Sequence, residues 1–439
     1  MIDYMEQVLH YLPQVLFAVA LGVTSYFFYK SIARIRRNIN LGRDLQLEGP
    51  TAERWKTMAR VAMGQTKMVV RPVAGIMHIL IYLGFILINI EVLEILLDGL
   101  LGTHRLFKPL LGKAFYSFLI GFFEFLALLV VVACVVFLYR RNVHKLKRFW
   151  KPEMKGWPAK DGNYILIIEL ILMSFLLIMN ASDPTVDGFL ISGFLKPLMP
   201  ADEGTLHLIE RVAWWGHILG IFAFLNYVPY SKHFHIIMAF PNTYWSNLNA
   251  KGSFNNLESV KKEVELMMDP NADPYAAPPE PDPNAAVLRF GAKDVKDLSW
   301  KQLMDSYTCT ECGRCTSECP ANQTGKMLSP RKIMMDTRDR LEAVGKNIDE
   351  HGPDHDDGKA LLGDHISAEE LWACTSCNAC VQACPVNIDP LSIIMDLRRY
   401  LVMEESNAPT ELNSVFTNIE NNGAPWQFAQ ADRFNWASE

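Results

Sequence analysis

The segment Cys309–Pro320 reads CTECGRCTSECP, and its cysteine pattern returns as CTSCNACVQACP at Cys374–Pro385. Each copy has the spacing C-x2-C-x2-C-x3-C and ends in proline directly after the fourth cysteine. The chain has nine cysteines, and Cys134 is the only one outside these two copies. Clustering of this kind indicates metal ligation in a reducing compartment, whereas a disulfide framework would scatter its cysteines along the chain.

The repeated spacing predicts two 4Fe–4S clusters. Three cysteines at this spacing can hold three corners of an iron–sulfur cube, and in two-cluster ferredoxins the fourth cysteine of each run ligates the other cluster. The proline stops the loop from continuing as a helix and turns the fourth thiolate away from its own triplet. A zinc site would instead use paired C-x2-C knuckles without a third cysteine at the same step. We therefore expect one cluster on Cys309, Cys312, Cys315 and Cys384, and the other on Cys374, Cys377, Cys380 and Cys319.

The first half of the chain predicts a membrane domain. Half of all residues are hydrophobic (50%), and five apolar segments are long enough for a bilayer-spanning helix, which needs about 20 residues. Buried core helices of a soluble protein are the alternative, which the density of Leu, Ile, Val and Phe disfavours. Asp3 and Glu6 stand where a signal peptide would be basic, so we expect no removable signal peptide. The expected spans are 9–29, 72–97, 115–138, 163–181 and 207–231.

The distribution of positive charge predicts the orientation. Lys and Arg concentrate between the first and second spans, for example at Arg36 and Arg60, and between the third and fourth, from Arg140 to Lys160. Such loops stay on the cytoplasmic side of a membrane. We therefore expect a cytoplasmic (inner) membrane protein with its N-terminus outside and the cysteine runs in the cytoplasm, where thiols are kept reduced. The mild net charge of -6 does not indicate nucleic acid, and we expect no such partner.

Beyond the spans the chain is polar, with signals for short helices. The stretch 269–286 is rich in Pro, Ala and acidic residues and is typical of an extended linker. Ser329 is expected to cap a helix whose first residue is Pro330. Ser367 and Glu370 form a predicted capping box, which opens a helix leading into the second cysteine run. No strand alternation is evident in this region, so a small helical domain is expected.

Histidines in the spans predict a haem that would exchange electrons with the clusters. His78 lies in the second span, and His217 and His235 lie 18 residues apart in and after the fifth, which is about five turns of a continuous helix. A b-type haem is held by histidines from two helices of one bundle. We expect haem b on His78 and one of the other two, because depth in the membrane does not choose between them. The alternative is an interfacial or backbone-bonded histidine, which we prefer for His207 and His233 because they lie nearer water.

These features resemble the gamma subunit of respiratory nitrate reductase. The resemblance rests on the five spans, the histidine of span two and the segment WWGHILGIFAFLNYVPYSKHFHII at Trp214–Ile237. That subunit holds two b haems between its spans two and five. The resemblance implies that His78 pairs with His235 at a cytoplasm-proximal haem. His217 would match a ligand of the distal haem, whose second ligand position is Ile88 here. We therefore expect one haem b, and keep open a second haem at His217, or His217 in place of His235.

The cysteine domain is similar to the two-cluster subunit of heterodisulfide reductases. The segments SAEELWACTSCNACVQACP at Ser367–Pro385 and NIENNGAPWQFAQADRFNW at Asn418–Trp436 resemble heterodisulfide-reductase-like iron–sulfur oxidoreductases. Members of that family often continue into cysteine-rich CCG domains that hold the catalytic cluster. The chain ends at Glu439 without such a motif. The resemblance therefore implies a catalytic site on a cytoplasmic partner, either a CCG-type subunit or a flavoprotein.

The expected fold class is all-α, with a five-helix transmembrane bundle followed by a mostly helical two-cluster ferredoxin domain. The resemblance implies a fusion of a membrane cytochrome with an iron–sulfur subunit. The expected regions are a cytochrome b-like membrane domain at 1–235, a surface segment and linker at 236–290, the two-cluster domain at 291–405, and a tail for partner docking at 406–439.

The combined expectation is a quinone-linked electron-transfer subunit. It would pass electrons between the membrane quinone pool, haem b, the two clusters and a soluble partner, and we expect no catalytic residue in this chain. Arg105 and Lys113 are candidates to contact the quinone, with anchoring at the lipid interface as the alternative. A different class is a membrane-tethered iron–sulfur redox sensor or assembly scaffold, which exposed clusters and the absence of haem would favour. A complete enzyme is disfavoured because a third cysteine cluster and a G-x-G-x-x-G motif are missing.

Overall fold

Helices are the main secondary structure of the described chain, which is residues 2–186, 189–250, 252–270, 289–427 and 429–438 of a computed structural model. Within these residues, β-type pairing is limited to two isolated bridges. The expected all-α class is therefore confirmed. The first nine helices are α1 (Ile2–Ile39), α2 (Thr51–Met58), α3 (Pro72–Leu101), α4 (Phe107–Leu111), α5 (Lys113–Asn142), α6 (Trp157–Ser182), α7 (Ser192–Leu195), α8 (Glu203–Tyr227) and α9 (His235–Tyr244).

Five helical segments are long and apolar enough to cross a membrane. Each overlaps one predicted span, and the predicted number is confirmed. The observed helices are longer than predicted, because hydropathy marks the apolar part of a helix and not its polar ends. Helix α1, for example, continues through Arg36 and Arg37. The five segments are Tyr11–Ile39, Pro72–Leu101, Lys113–Asn142, Trp157–Ser182 and Glu203–Tyr230.

The long helices pack in the order α3, α5, α6 and α8, with α1 against both α3 and α8. Two glycines of α8 allow close contact with α6. A Cβ added at Gly220 would lie 2.7 Å from the Leu172 side chain, and one added at Gly216 would lie 3.0 Å from the Phe175 ring. This close approach places the backbone of Leu172 beside His217.

The fifth span is interrupted after Tyr227, so His217 and His235 do not lie on one continuous helix. Two short 3-10 segments, Val228–Tyr230 and Lys232–Phe234, separate α8 from α9. Pro229 has no N–H for a helical bond, and Ser231 between the two segments is extended, with φ −115° and ψ 153°. His217 and His235 therefore do not share one helix face, because His235 begins a new helix.

The cysteine domain is built around one long helix, α14 (Pro330–His351), which packs against α11 (Trp300–Thr308) and α17 (Pro390–Met403). Ile333 and Leu341 of α14 are fully buried in this core. The remaining helices are α10 (Glu258–Met268), α11 (Trp300–Thr308), α12 (Arg314–Glu318), α13 (Pro320–Gln323), α14 (Pro330–His351), α15 (Ala368–Trp372), α16 (Ala379–Ala383), α17 (Pro390–Met403) and α18 (Thr410–Asn422).

Both predicted helix caps of this domain are confirmed. The Ser329 side chain accepts a hydrogen bond from the Lys332 backbone N–H, and Pro330 is the first residue of α14. Ser367 and Glu370 form the predicted capping box at the start of α15. Local side-chain chemistry of this kind can be read from sequence because its partners lie only three residues apart.

Polar contacts fix the cysteine domain against the membrane bundle. Asn38 at the end of α1 donates from Nδ2 to the Tyr307 hydroxyl at 2.9 Å, and Arg331 pairs with Glu153 at 2.7 Å. Apart from its first two residues, the predicted linker 269–286 lies outside the described residues. The expected domain boundaries stay predictions, and the one at 235 falls on the first residue of α9.

Candidate electron-transfer site

The two cysteine runs fold into loops with the same backbone path. In the first run, Glu311 and Gly313 take left-handed φ values of +52° and +68° on either side of the second cysteine. In the second run, Ser376 and Asn378 take +57° and +60° at the matching positions. A short helix follows each loop and ends one residue before the fourth cysteine. The sequence repeat is therefore also a structural repeat.

The structure brings the cysteines together in two sets of four, each around a cavity. Each set combines three cysteines of one run with the fourth cysteine of the other run, which is the exchange expected from the spacing. The first cavity is lined by Cys309, Cys312, Cys315 and Cys384. The second cavity is lined by Cys374, Cys377, Cys380 and Cys319.

Four cysteines around each cavity match the ligand set of a 4Fe–4S cluster. Burial raises the pKa of Cys309 and of Cys384 to about 12. Such thiols become thiolates when iron supplies the compensating positive charge.

The first cavity lies beside the membrane bundle, and the second lies nearer the surface. Arg314 donates from Nη1 to the backbone oxygen of Lys67 at 2.8 Å, and Lys67 donates from Nζ to the backbone oxygen of Cys384 at 3.1 Å. Lys67 belongs to the loop directly before α3, the helix that carries His78. At the second cavity, Cys377 is exposed.

His78 and His235 face each other in a geometry that fits a shared haem iron. Their ring centroids are 6.2 Å apart, with an interplanar angle of 40°. Metal–nitrogen distances to histidine are about 2 Å, so a separation of this size would leave room for one iron between the two rings. His235 Nδ1 hydrogen bonds to the backbone oxygen of Lys232 at 3.0 Å, which leaves Nε2 for a ligand. Nδ1 of His78 is buried without a hydrogen-bond partner.

His233 was expected nearer water, and the structure corrects this. Its ring lies 5.6 Å from that of His235, at an interplanar angle of 88°, and 5.2 Å from Phe224. Its Nε2 is buried without a hydrogen-bond partner. Burial lowers the pKa of His233 to about 3 and also lowers the pKa of His235, so both rings are neutral at pH 7. The turn after Tyr227, which hydropathy does not reveal, folds His233 back toward the bundle.

His217 lies apart from this pair, inside the bundle. It is fully buried, and its Nδ1 hydrogen bonds to the backbone oxygen of Leu172 at 2.9 Å. Its Nε2 is buried without a hydrogen-bond partner. Ile88, at the position where the resemblance would place a second haem ligand, is also buried. The structure therefore places the rings of His78 and His235 together and keeps His217 apart from them.

Arg105 is not free to contact a quinone, contrary to the expectation. It is 6% exposed, and its guanidinium donates to Asp183 at 2.9 Å and to Asn180 at 2.8 Å. Lys113 is exposed at the start of α5, where lipid-interface anchoring remains the simpler reading.

Sequence reasoning missed a link between the haem pair and the first cavity. Lys232 accepts the hydrogen bond of His235 through its backbone oxygen, and its Nζ forms an ion pair with Glu311 in the first cysteine loop. A lysine directly before the histidines of SKHFH and a glutamate between two cysteines were the available signals. Their pairing spans 79 positions of sequence, so no local pattern predicts it.

Comparison with known proteins supports an iron–sulfur assignment. Residues 308–388 match the family model described as a 4Fe-4S dicluster domain. The probable iron-sulfur-binding oxidoreductase FadF of Bacillus subtilis (strain 168) is 29% identical, over 97% of this chain and 60% of its own length. The EtfAB:quinone oxidoreductase of Syntrophomonas wolfei subsp. wolfei is 27% identical, over 86% of this chain and 53% of its own length.

Shorter similarities point the same way. A probable membrane-anchored ferredoxin of Chromohalobacter salexigens is 34% identical, over 34% of this chain and 24% of its own length. Subunits C and D of Methanosarcina heterodisulfide reductases match 26% and 33% of this chain. No solved structure matches the chain. The chain spans at most 60% of the length of FadF, EtfAB:quinone oxidoreductase and the membrane-anchored ferredoxin.

The fold and the cysteine site define a membrane protein with a two-cluster iron–sulfur domain. Its relatives are iron–sulfur oxidoreductases and subunits of heterodisulfide reductases, so the resemblance to heterodisulfide-reductase-like iron–sulfur oxidoreductases is confirmed. An electron-transfer role follows, because a pair of adjacent 4Fe–4S sites carries single electrons.

Proposed function

We propose that this chain passes electrons between the quinone pool of the membrane and a soluble redox partner, by way of haem b and two 4Fe–4S clusters. The observation that carries the proposal is the order of the three sites. The His78–His235 pair, the first cavity and the second cavity follow one another from the bundle to the surface. When bound, haem and clusters supply one-electron transfer, and the residues of the chain hold these groups in sequence.

His78 and His235 are the proposed haem ligands. His78 lies in the membrane bundle, and His235 lies at its cytoplasmic exit. The backbone oxygen of Lys232 fixes the orientation of His235. A hydrogen bond of this kind holds the ring in one tautomer and strengthens the other nitrogen as a donor. His217 is the proposed ligand if a second haem binds, because its Nδ1 is already bonded to Leu172 and its Nε2 is buried and free.

The eight cysteines are the proposed cluster ligands, in the two exchanged sets. Backbone amides also reach sulfur: Ile388 N–H donates to Sγ of Cys384 at 3.3 Å, and Ser376 N–H donates to Sγ of Cys374 at 3.4 Å. Hydrogen bonds to sulfur favour the more negative, reduced form of a cluster. The chain thus provides both the ligands and part of the charge stabilisation that a reversible electron carrier needs.

The relatives support the choice of quinone and of a soluble partner. One of them is named EtfAB:quinone oxidoreductase, and others are subunits of heterodisulfide reductases. We take the partner to be a cytoplasmic flavoprotein or CCG-type subunit. The Lys- and Arg-rich loops on the side of the bundle that contacts the cysteine domain support a cytoplasmic location of the clusters.

Redox-titrated visible spectra of the purified membrane protein, with iron and haem quantified, test the proposal. We expect about eight non-haem iron atoms, four for each cluster, and one low-spin b haem. The variant His78→Ala should lose the haem band and keep its cluster iron. His207→Ala is the matched control, because His207 is an exposed histidine of α8, and this variant should keep both.

The other outcomes separate the alternatives. An unchanged haem band in His78→Ala would refute the ligand assignment. Two haems would assign the second to His217. Cluster iron without any haem would favour the membrane-tethered redox sensor or assembly scaffold, and zinc in place of iron would refute the clusters themselves.

A further inference from the structure

The first cavity is surrounded by buried positive charge. Arg314 and Arg331 line it, and they are 5% and 0% exposed. Arg148 lies at its rim, where a Cβ added to Gly313 would be 3.4 Å from Cβ of Arg148 and 2.5 Å from Nη1 of Arg331. Two arginines therefore line the cavity, and a third packs against the same cysteine loop.

Carboxylates neutralise only part of this charge. Arg331 pairs with Glu153 at 2.7 Å. Glu311, which also lines the cavity, is shared between Arg338 at 2.9 Å and Lys232. Neither Arg314 nor Arg148 forms an ion pair with a carboxylate anywhere in the described part of the chain. These two guanidinium groups are the excess charge of the first cavity.

A buried cation without a counter-charge is costly, so its surroundings indicate what neutralises it. The sulfurs of Cys312 and Cys384 lie in electrostatic range of Arg314, and the sulfur of Cys312 also lies in range of Arg148. Nε of Arg148 and Nε of Arg331 are buried without a hydrogen-bond partner. Both observations point to an anionic acceptor in the first cavity, which four thiolates around iron would provide.

Within the described residues, no such group of arginines lines the second cavity. Its lining is made of cysteines and of uncharged residues such as Leu328, Leu391 and Ile394. Among the described residues, one cation and one anion lie nearby. Arg398 donates to the backbone oxygen of Leu371 at 3.0 Å and is in electrostatic range of Cys374, and Asp389 is in electrostatic range of Cys380. The nearby charges of the second cavity therefore balance.

This difference acts directly on reduction, because each reduced cluster carries one more negative charge than its oxidised form. Neighbouring cations stabilise that form and raise the reduction potential, most strongly at buried positions where screening is weak. Water at exposed Cys377 also stabilises the reduced form of the second cluster. Cys377 is the one cysteine of the eight that is exposed, whereas Arg314 lines the first cavity and is 5% exposed, so that screening of its charge is weak.

We infer that Arg314 and Arg148 give the first cluster the higher reduction potential of the two, so that electrons run downhill from the second cluster toward the membrane. The inference rests on the proposed function and adds to it the direction of electron transfer. A reduced flavin of the soluble partner would give up two electrons one at a time at the second cavity. Quinone would take up the two electrons with two protons and leave as quinol.

An EPR-monitored redox titration of the full chain in detergent tests this inference. The wild-type protein should show two reduction steps at different potentials. Arg314→Met should lower the higher potential and leave the lower one unchanged. Arg314→Lys keeps the charge and should leave both steps close to wild type. Arg398→Met is the matched control at the second cavity and should lower only the lower potential.

A shift confined to the lower step in Arg314→Met would overturn the inference, and so would two unchanged steps. Arg314 also bonds to the backbone oxygens of Lys67 and Met68, so its loss could release iron. Arg148→Met then serves as the second variant, because Nε of Arg148 has no partner to lose, and it should lower the same step. A wild-type protein without either cluster signal would refute the proposed function itself. The potentials of the variants, in contrast, test only the inference about the direction of electron transfer.

Discussion

Glu311 shows at the scale of one residue how the first cysteine loop is joined to the haem pair. It is 4% exposed and pairs with both Lys232 and Arg338. Burial by itself would raise its pKa, but the two cations outweigh that effect and hold the pKa of Glu311 below its ordinary value. The carboxylate is therefore charged at neutral pH, and through Lys232 it ties the loop to the residue that orients His235.

Replacing Glu311 with Gln should destabilise the protein strongly. Lys232 and Arg338 would lose their shared counter-charge, and removing one partner of a buried pair costs about 3–5 kcal/mol. Urea unfolding in detergent measures the loss. Asp339→Asn is the matched control, because Asp339 pairs with the same Arg338 at 3.1 Å but on the exposed surface, where a pair is worth about 1 kcal/mol or less. Equal losses in the two variants would contradict a special role for Glu311.

Sequence patterns predict residue roles well where the pattern is local. The spacing of the cysteines predicts both sets that line the cavities, and the apolar surroundings of His78 single it out within its span. Glu311 and Arg314 lie inside the first run and are visible in the sequence, but their effect depends on Lys232 and Arg148 from distant segments. Pairing over such distances follows from the packed fold, which no spacing rule contains.

At the scale of elements, the break in the fifth span decides where His235 points. Asp161 of α6 holds the broken segment: its carboxylate accepts from the Ser231 hydroxyl at 2.7 Å, from the Lys232 backbone N–H at 3.1 Å, and from the Tyr227 hydroxyl. Pro229 marks the bend in the sequence. The direction of the chain after the bend is set by a carboxylate on another helix. Sequence patterns therefore predict the position of His233 wrongly, and they do not choose between His217 and His235 as the partner of His78.

Replacing Asp161 with Ala should weaken haem binding while sparing the clusters. The turn that presents His235 would lose three acceptor contacts, and changes to groups that support a metal ligand typically cost about 10–100-fold in affinity. The ratio of haem to protein, with cluster iron measured in parallel, reports the effect. Asn163→Ala is the control on the same helix, because Asn163 bonds to Asn142 and not to the turn. Full haem content in Asp161→Ala would contradict this view of the turn, as would a parallel loss of iron.

At the scale of the whole molecule, the bundle and the cysteine domain meet where α1 runs past the other spans. Arg37 donates to the backbone oxygen of Gly345 at 2.9 Å, and Asn38 is fully buried against the cysteine domain. Gly345 in α14 makes this contact possible, because an added Cβ would lie 2.5 Å from the Asn38 side chain. Hydropathy predicts the two domains separately, but it cannot predict that they share a closely packed seam.

Gly345→Val places a branched side chain in this seam and should slow electron transfer between haem and clusters without removing either. Overpacking of this kind costs about 1–3 kcal/mol, which the molecule can relieve by letting α14 move away from α1. Lys346→Val is the matched control, because it puts the same residue one position further along α14, where the side chain is 73% exposed. The rate of haem reduction, after a photoexcited sensitiser with a sacrificial electron donor has rapidly reduced the clusters, measures the effect. If both variants keep the wild-type rate at full cofactor content, the seam does not set the distance between the carriers, and contacts such as Arg331–Glu153 and Lys232–Glu311 hold the two domains together instead.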